Sequence, residues 1–144
     1  MSRTIFLPIE IKNREFYSKI FFAKKAIERE YSIIIGPKET INRIVINKKD
    51  NYGIYINKAG FKDVNLKLIR PKLELICVQD EEIGPSFHED KFDLRLSEFN
   101  QKKIDYYFSY DRRVFNMARS KYTYLEEKKI ILTGWIREEM WSKK

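Results

Sequence analysis

Residues 4–35 decide the fold. They read Thr4-Ile5-Phe6-Leu7-Pro8-Ile9-Glu10-Ile11-Lys12-Asn13-Arg14-Glu15-Phe16, then continue through Ile20, Ala23 and Ile27 to Ile33-Ile34-Ile35. Two unbroken apolar runs flank a charged segment. Runs without alternation suit strands buried on both faces, as parallel strands are. Between them Asn13 stands as a helix N-cap, Glu15 falls in the first turn, and Phe16, Ile20, Ala23 and Ile27 recur at helical spacing. Strand, helix and strand in this order predict a parallel pair joined by a crossover, which needs a dozen residues or more.

Working outward, four more runs repeat the first two: Ile54-Tyr55-Ile56, Leu75-Ile76-Cys77-Val78, Tyr106-Tyr107-Phe108 and Ile130-Ile131-Leu132. The intervals between them are long enough for helical crossovers and too long for hairpins. A helix is expected from Arg112 to about Tyr124, with Val114, Phe115, Ala118 and Tyr122 on its stripe. Others are expected around Phe92–Phe99 and, shorter, over 39–50 and 62–70. Gly36-Pro37 and Pro71 read as breaks between elements. The expectation is an α/β chain: a single Rossmann-like three-layer domain over 1–144, with a mainly parallel sheet of about six strands.

Composition narrows the class. Hydrophobic residues at 43% and aromatics at 15% exclude a disordered polyelectrolyte. No apolar run approaches the ~18 residues that cross a bilayer. The N-terminus turns acidic at Glu10, too soon for a secretory signal. A lone Cys77 makes no internal disulfide and reads as a core thiol, and a lone His88 in an acidic loop argues against zinc. A reduced, cytoplasmic domain is the expectation. Of the net +8, residues 1–72 hold 16 basic and 7 acidic side chains (+9), and residues 73–144 hold 13 and 14 (−1). With 20 Ile and 19 Lys against 4 Ala, part of the lysine reflects an AT-rich coding bias, but the asymmetry points to one basic face.

Parallel sheets bind ligands beyond the carboxyl ends of their strands. At the first exit Pro8 cannot donate to a ladder, so pairing is expected to weaken there. Glu10, Lys12, Arg14 and Glu15 follow in the loop and first helical turn. Free N–H groups, a positive helix end and two cations suit a carboxylate or phosphate. A solvated turn whose charges pair with one another fits the same residues. The fourth run ends in Gln79-Asp80-Glu81-Glu82. Burial of adjacent carboxylates would raise a pKa and create a general base; the same oxygens could take Mg²⁺, or simply form an exposed acidic turn. The sixth leads to Thr133-Gly134-Trp135-Ile136-Arg137, where Gly134 permits a tight turn or a close ligand approach. Ile136, Met140 and Trp141 form an apolar stripe beyond it, suited to packing on the body or to an interface. Dinucleotide, P-loop and nucleophile-elbow motifs are all absent, and Cys77 and His88 lack a nucleophile–base context.

The stretch Thr4–Lys12 with Arg14-Glu15 and Lys19, then Ile34-Ile35-Gly36, Asp80-Glu81-Glu82, Tyr107-Phe108-Ser109-Tyr110 and Thr133-Gly134 with Arg137, resembles bacterial surface carbohydrate biosynthesis proteins, which look like two-domain GT-B type glycosyltransferases. The resemblance spans nearly the whole chain. Trp135-Ile136 stand where the family usually shows Asn-Pro, and Asp111 where Gly often follows the aromatic strand. The family's Thr-Gly turn marks the crossing to a C-terminal, donor-binding domain, so the resemblance implies that residues 1–144 correspond to the N-terminal half, with the donor-binding domain expected to be absent.

The resemblance implies the acceptor-side, N-terminal half of such an enzyme, not catalytic alone. Its partners would be a C-terminal half on a separate chain and, in the complete enzyme only, a nucleotide-sugar donor and a glycan or glycolipid acceptor. Peripheral contact with the inner membrane face belongs to the same expectation. Carried over by position, Glu10, Glu81 and Glu82 are candidates for base or nucleophile. Lys12, Arg14, Glu15, Asp80, Gly134 and Arg137 are candidates for substrate binding. No metal and no cofactor are called for. The competing expectation is a non-enzymatic α/β module for anionic partners, nucleic acid or a membrane surface. The dispersed basic residues match no nucleic-acid-binding pattern. A decayed protein that folds poorly is a third reading, resting on the altered Thr133–Arg137 turn.

Overall fold

Each of the six apolar runs is a strand. The structure is a computed structural model that describes residues 3–50, 52–79, 95–134 and 136. Its strands are β1 (Thr4–Ile9), β2 (Ser32–Pro37), β3 (Ile54–Asn57), β4 (Leu75–Gln79), β5 (Tyr106–Ser109) and β6 (Ile130–Leu132). They form one sheet in the order β2-β1-β3-β4-β5-β6, every neighbouring pair parallel. The helices are α1 (Lys12–Ile27), α2 (Lys38–Ile46), α3 (Asp63–Ile69), α4 (Glu98–Lys103) and α5 (Arg112–Lys121). The result is a Rossmann-like α/β fold whose chain reverses direction between β1 and β3. That reversal opens the crevice where such sheets bind ligands.

The strand order also decides which face each helix covers. The β1-to-β2 step runs one way and the later steps run the other, so crossovers of a single hand place α1 on one face and the rest opposite. The buried clusters follow this rule. Phe6, Tyr55, Ile76, Val78 and Tyr107 meet Ile41 and Val45 of α2, Leu66 and Ile69 of α3, and Val114, Met117 and Ala118 of α5. On the other face Ile5, Leu7, Ile56 and Cys77 meet Ala23 and Ala26 of α1. Cys77 is the core thiol expected, with its pKa pushed up to about 12 by burial and then by Asp105.

Several local expectations are corrected. The α1 N-cap is Ile11, and Asn13 lies inside the first turn. The buried face of α1 is Glu15, Ser18, Lys19, Ala23 and Ala26, whereas Ile20 and Ile27 are 43% and 59% exposed. Ala23 of the expected stripe is buried, but the stripe as a whole is displaced around the helix because the true inner face holds two charges. β1 runs through Pro8, paired in register with Gly36 of β2. The weakening falls on the β3 side, where pairing stops at Phe6↔Tyr55. Gly36-Pro37 closes β2, and α2 starts at the next residue. The helix expected around 92–99 begins at Glu98, capped by the Ser97 hydroxyl accepting from Asn100 N–H; residues 92–94 lie outside the described ones. Asp111, the departure from the family pattern, is a working N-cap that accepts from Val114 N–H at 2.7 Å.

The β3–α3 loop is held from α4. Asn100, 1% exposed, accepts from Phe61 N–H at 2.7 Å and donates to Phe61 C=O at 3.0 Å and to Asp63 at 2.8 Å. A β-carbon on Gly60 would collide with the Arg95 carbonyl, so only glycine fits that approach. Asn100→Ala orphans a buried N–H and a buried C=O. It should lower stability by about 2–3 kcal/mol in urea denaturation, with the slope unchanged.

Candidate functional site

The charges of the first three strand exits converge at the β1/β3 crevice. β1 continues to Ile9 and β3 to Asn57 beyond their last pairing, and polar side chains fill the gap so formed. Its centre is Glu15, fully buried in the first turns of α1. One carboxylate oxygen accepts from Ile11 N–H at 2.9 Å and from the Lys58 ammonium at 3.3 Å. The other accepts from Glu10 N–H at 3.2 Å and from Lys19 at 3.0 Å. Lys19 also donates to the Pro8 carbonyl. Glu15 thus serves as an N-terminal cap from within the helix, the task Ile11 has no side-chain group to perform.

Glu10 forms the outer layer. Its carboxylate pairs with Lys38, the first residue of α2, and lies 3.3 Å from the Lys58 ammonium. Lys58 is 7% exposed and Glu10 36%, so the lysine is embedded and the carboxylate faces out. Beneath them Tyr55 donates to Asn42 Oδ1 at 2.6 Å. Burial, with the Glu10 charge added, raises the phenol pKa and keeps it a neutral donor.

Burial opposes ionisation of both glutamates, and the lysines outweigh it. Glu10 is held below its ordinary value by Lys38 and Lys58, and Glu15 by Lys19 and the Ile11 and Glu10 amides. A carboxylate so stabilised is a weak proton acceptor. In this arrangement Glu10 is a fixed negative charge bridging two ammonium groups, which weakens its candidacy as a base. Glu15, read as a substrate contact, is instead consumed by internal partners and reaches no solvent. It also takes the Glu10 and Ile11 amides that the sequence offered to an anion.

The remaining candidates are not gathered here. Lys12 is exposed on the first turn of α1, with the half-buried Arg14 beside it. Gly134 lies at the β6 exit, four strands from β1, which at ordinary spacing is about 19 Å. Its φ of +78° is the left-handed turn conformation that glycine adopts freely. Asp80, Glu81, Glu82 and Arg137 lie outside the described residues, as does His88.

Sequence reasoning missed Lys38 and Lys58 and gave Lys19 no role. The signal was present. Lys38 follows Gly36-Pro37 and Asn57-Lys58 follow the third run, so the strand-exit search used elsewhere finds both. Lys19 lies four residues from Glu15, the spacing of helical ion pairs. Among the described residues no group of His, Cys, Asp and Glu could hold a metal ion, and no helix is long and apolar enough to cross a membrane. In comparison with known proteins, no family model and no curated protein matches the chain.

Two outcomes test the buried network. Glu15→Ala leaves Lys19 and Lys58 without their counter-charge and should cost about 3–5 kcal/mol in chemical denaturation. Acid should act through the same groups. Both carboxyls ionise more readily in the folded state, so the unfolded chain takes up protons first as pH falls. Their stabilisation is complete above the ordinary value of 4.5 and is lost as pH drops below it through the folded values. The decline of stability with acid should be shallower in Glu15→Gln than in the native chain.

Proposed function

We propose that this chain is the acceptor-side α/β domain of a glycosyltransferase-like protein of bacterial surface polysaccharide biosynthesis, incomplete as a catalyst without a donor-binding half. The observation that carries the reading is the Lys38–Glu10–Lys58 bridge at the β1/β3 crevice. Motif residues that carried the resemblance, Glu10, Glu15 and Lys19, come together at that carboxyl edge, with Lys12 exposed and Arg14 half-buried at the adjoining helix start.

The chemistry follows from the charges. Three lysines and two glutamates leave the cluster one positive charge in excess. Glu15 is committed internally, which leaves Lys38 and Lys58 facing the half-exposed Glu10. An acidic group on a sugar or lipid-linked acceptor binds by competing with Glu10 for these ammonium groups, with Lys12 at the rim. Released from the lysines, Glu10 regains proton affinity, so acceptor binding and base strength are coupled at one residue. The donor half would supply the nucleotide-sugar.

The test uses the purified chain with an acidic oligosaccharide as probe and backbone NMR shifts as readout. Shifts should cluster at Glu10, Lys38 and Lys58. Lys38→Ala should weaken binding about tenfold, the loss of one charge-assisted contact of ~1.5 kcal/mol. The chain alone should transfer no sugar from a nucleotide-sugar donor. Transfer without a second polypeptide would overturn the half-enzyme reading, and shifts confined to other surfaces would overturn the site.

A further inference from the structure

Two isoleucines of the first helix are left over by the fold. Ile20 and Ile27 are 43% and 59% exposed on α1. With Lys24 and Glu28 they wall a groove of about 480 Å³ whose other side is Ile33 and Ile35 of β2. The groove runs along an open edge, because β2 ends the sheet and, among the described residues, no strand pairs with its outer side. The ladder tells which groups face out. Ser32 N–H donates to the Arg3 carbonyl at 3.0 Å, and the parallel register with β1 carries that direction to Ile34 and Gly36. Ile33 and Ile35 therefore turn N–H and C=O outward, since successive strand residues alternate. Tyr31 N–H is already taken by the Ala26 carbonyl at 3.1 Å, and Pro37 has none. No charged residue stands in Ser32–Pro37, so the edge lacks the charges that usually guard one against pairing. A cavity of about 1010 Å³ lies over Ile54, Ile56, Tyr106 and Phe108 on the same sheet face, but only the edge carries its partner's pattern in its own.

We infer that the chain forms a twofold dimer in which β2 pairs antiparallel with β2 of a second copy, joining two sheets into one. Self-complementarity selects this partner. A twofold axis through Ile34 sets Ile33 against Ile35 of the second copy, so both outward donors of each copy find a carbonyl, four hydrogen bonds in all. The side chains agree. Ile33 and Ile35 meet their counterparts on the α1 face, and Ile34 meets its own copy on the other. The helices fit as well. α1 sits over β1 and β2, so its two copies lie two strand spacings apart, about 10 Å, where helices pack. Ile20 and Ile27 then fill the space between them. The edge is as long as α1, about 24 Å, and three layers tall, about 30 Å. That gives ~700 Å² per copy, near the ~800 Å² per partner of a standard interface. Charge does not oppose the contact: the groove holds one cation and one anion, so two chains of net +8 meet on a patch without net charge. The inference holds whatever the crevice at the carboxyl edge binds.

The test uses the full chain. Sedimentation over a concentration series should show a monomer–dimer equilibrium in the micromolar range or tighter. Amide hydrogen exchange read over the same series assigns the interface. The Ile33 and Ile35 amides should slow as dimer forms, while the Ser32 amide, bonded to Arg3, is protected throughout. Ile27→Glu, at an exposed position, should keep the thermal melt of the monomer and weaken the dimer about tenfold or more. A monomer at every concentration overturns the inference. So does a dimer whose Ile33 and Ile35 amides still exchange fast, or one that Ile27→Glu leaves intact. Protection of these two amides in the dilute monomer also overturns it, since the edge would then be covered within one chain.

Discussion

One buried carboxylate organises the carboxyl edge of this sheet. Glu15 has no contact with water, and an ionised group in that position is tolerable only with its partners complete. Those partners come from three places: the backbone leaving β1, Lys19 one turn along α1, and Lys58 leaving β3. Satisfying them fixes where α1 begins, how it is rotated on the sheet, and where the β3 exit lies. A helix with an apolar inner face could slide or turn at modest cost. One whose inner face carries a matched ion pair cannot, because any rotation strands a charge. Glu10 and Lys38 then assemble on Lys58 as the exposed half of the same network.

The consequence is a division of labour between two surfaces. The carboxyl edge concentrates charge at the reversal of strand order, where β1 and β3 part company after Phe6 and Tyr55. The face over β3 to β5 concentrates apolar area. At the opposite, amino edge, Asp105 accepts from Ile76 N–H at 2.7 Å and pairs with Arg70 at 3.2 Å, a tie between strand starts remote from the crevice. Buried polar groups of α1 and α4, Glu15, Lys19 and Asn100, thus turn toward strand ends and loops, where the ladder leaves backbone groups to satisfy.

Most of the fold was legible in the sequence because its strands are unbroken apolar runs at crossover spacing. All six lie where the runs are, and Val114, Ala118 and Tyr122 pack inward as their spacing implies. What failed did so for physical reasons. The α1 stripe was assigned to Phe16, Ile20, Ala23 and Ile27, of which Ala23 is buried and Ile20 and Ile27 are exposed, because periodicity counts hydrophobic residues, and Glu15 and Lys19 are inner-face residues that hydrophobicity hides. Pro8 was expected to weaken pairing; pairing with β3 does stop at Phe6, yet Pro8 lies within the β1–β2 register. The helix expected around Phe92–Phe99 meets α4 only at its end, because the local signal that starts α4 is the Ser97 cap and not a hydrophobic stripe. At the site, Glu10 and Glu15 were found by strand-exit reasoning. Lys38 and Lys58 were not, since they come from exits 28 and 48 residues beyond Glu10 and meet it only through the sheet order.

The central claim is that the exits of β1 and β3 are tied through Glu15. A double-mutant cycle of Glu15→Gln and Lys58→Met, read by chemical denaturation at neutral pH, tests it most directly. The account predicts a coupling free energy of about 1–3 kcal/mol between the two positions. Additive losses, within the roughly 0.3–0.5 kcal/mol expected of independent sites, would contradict it.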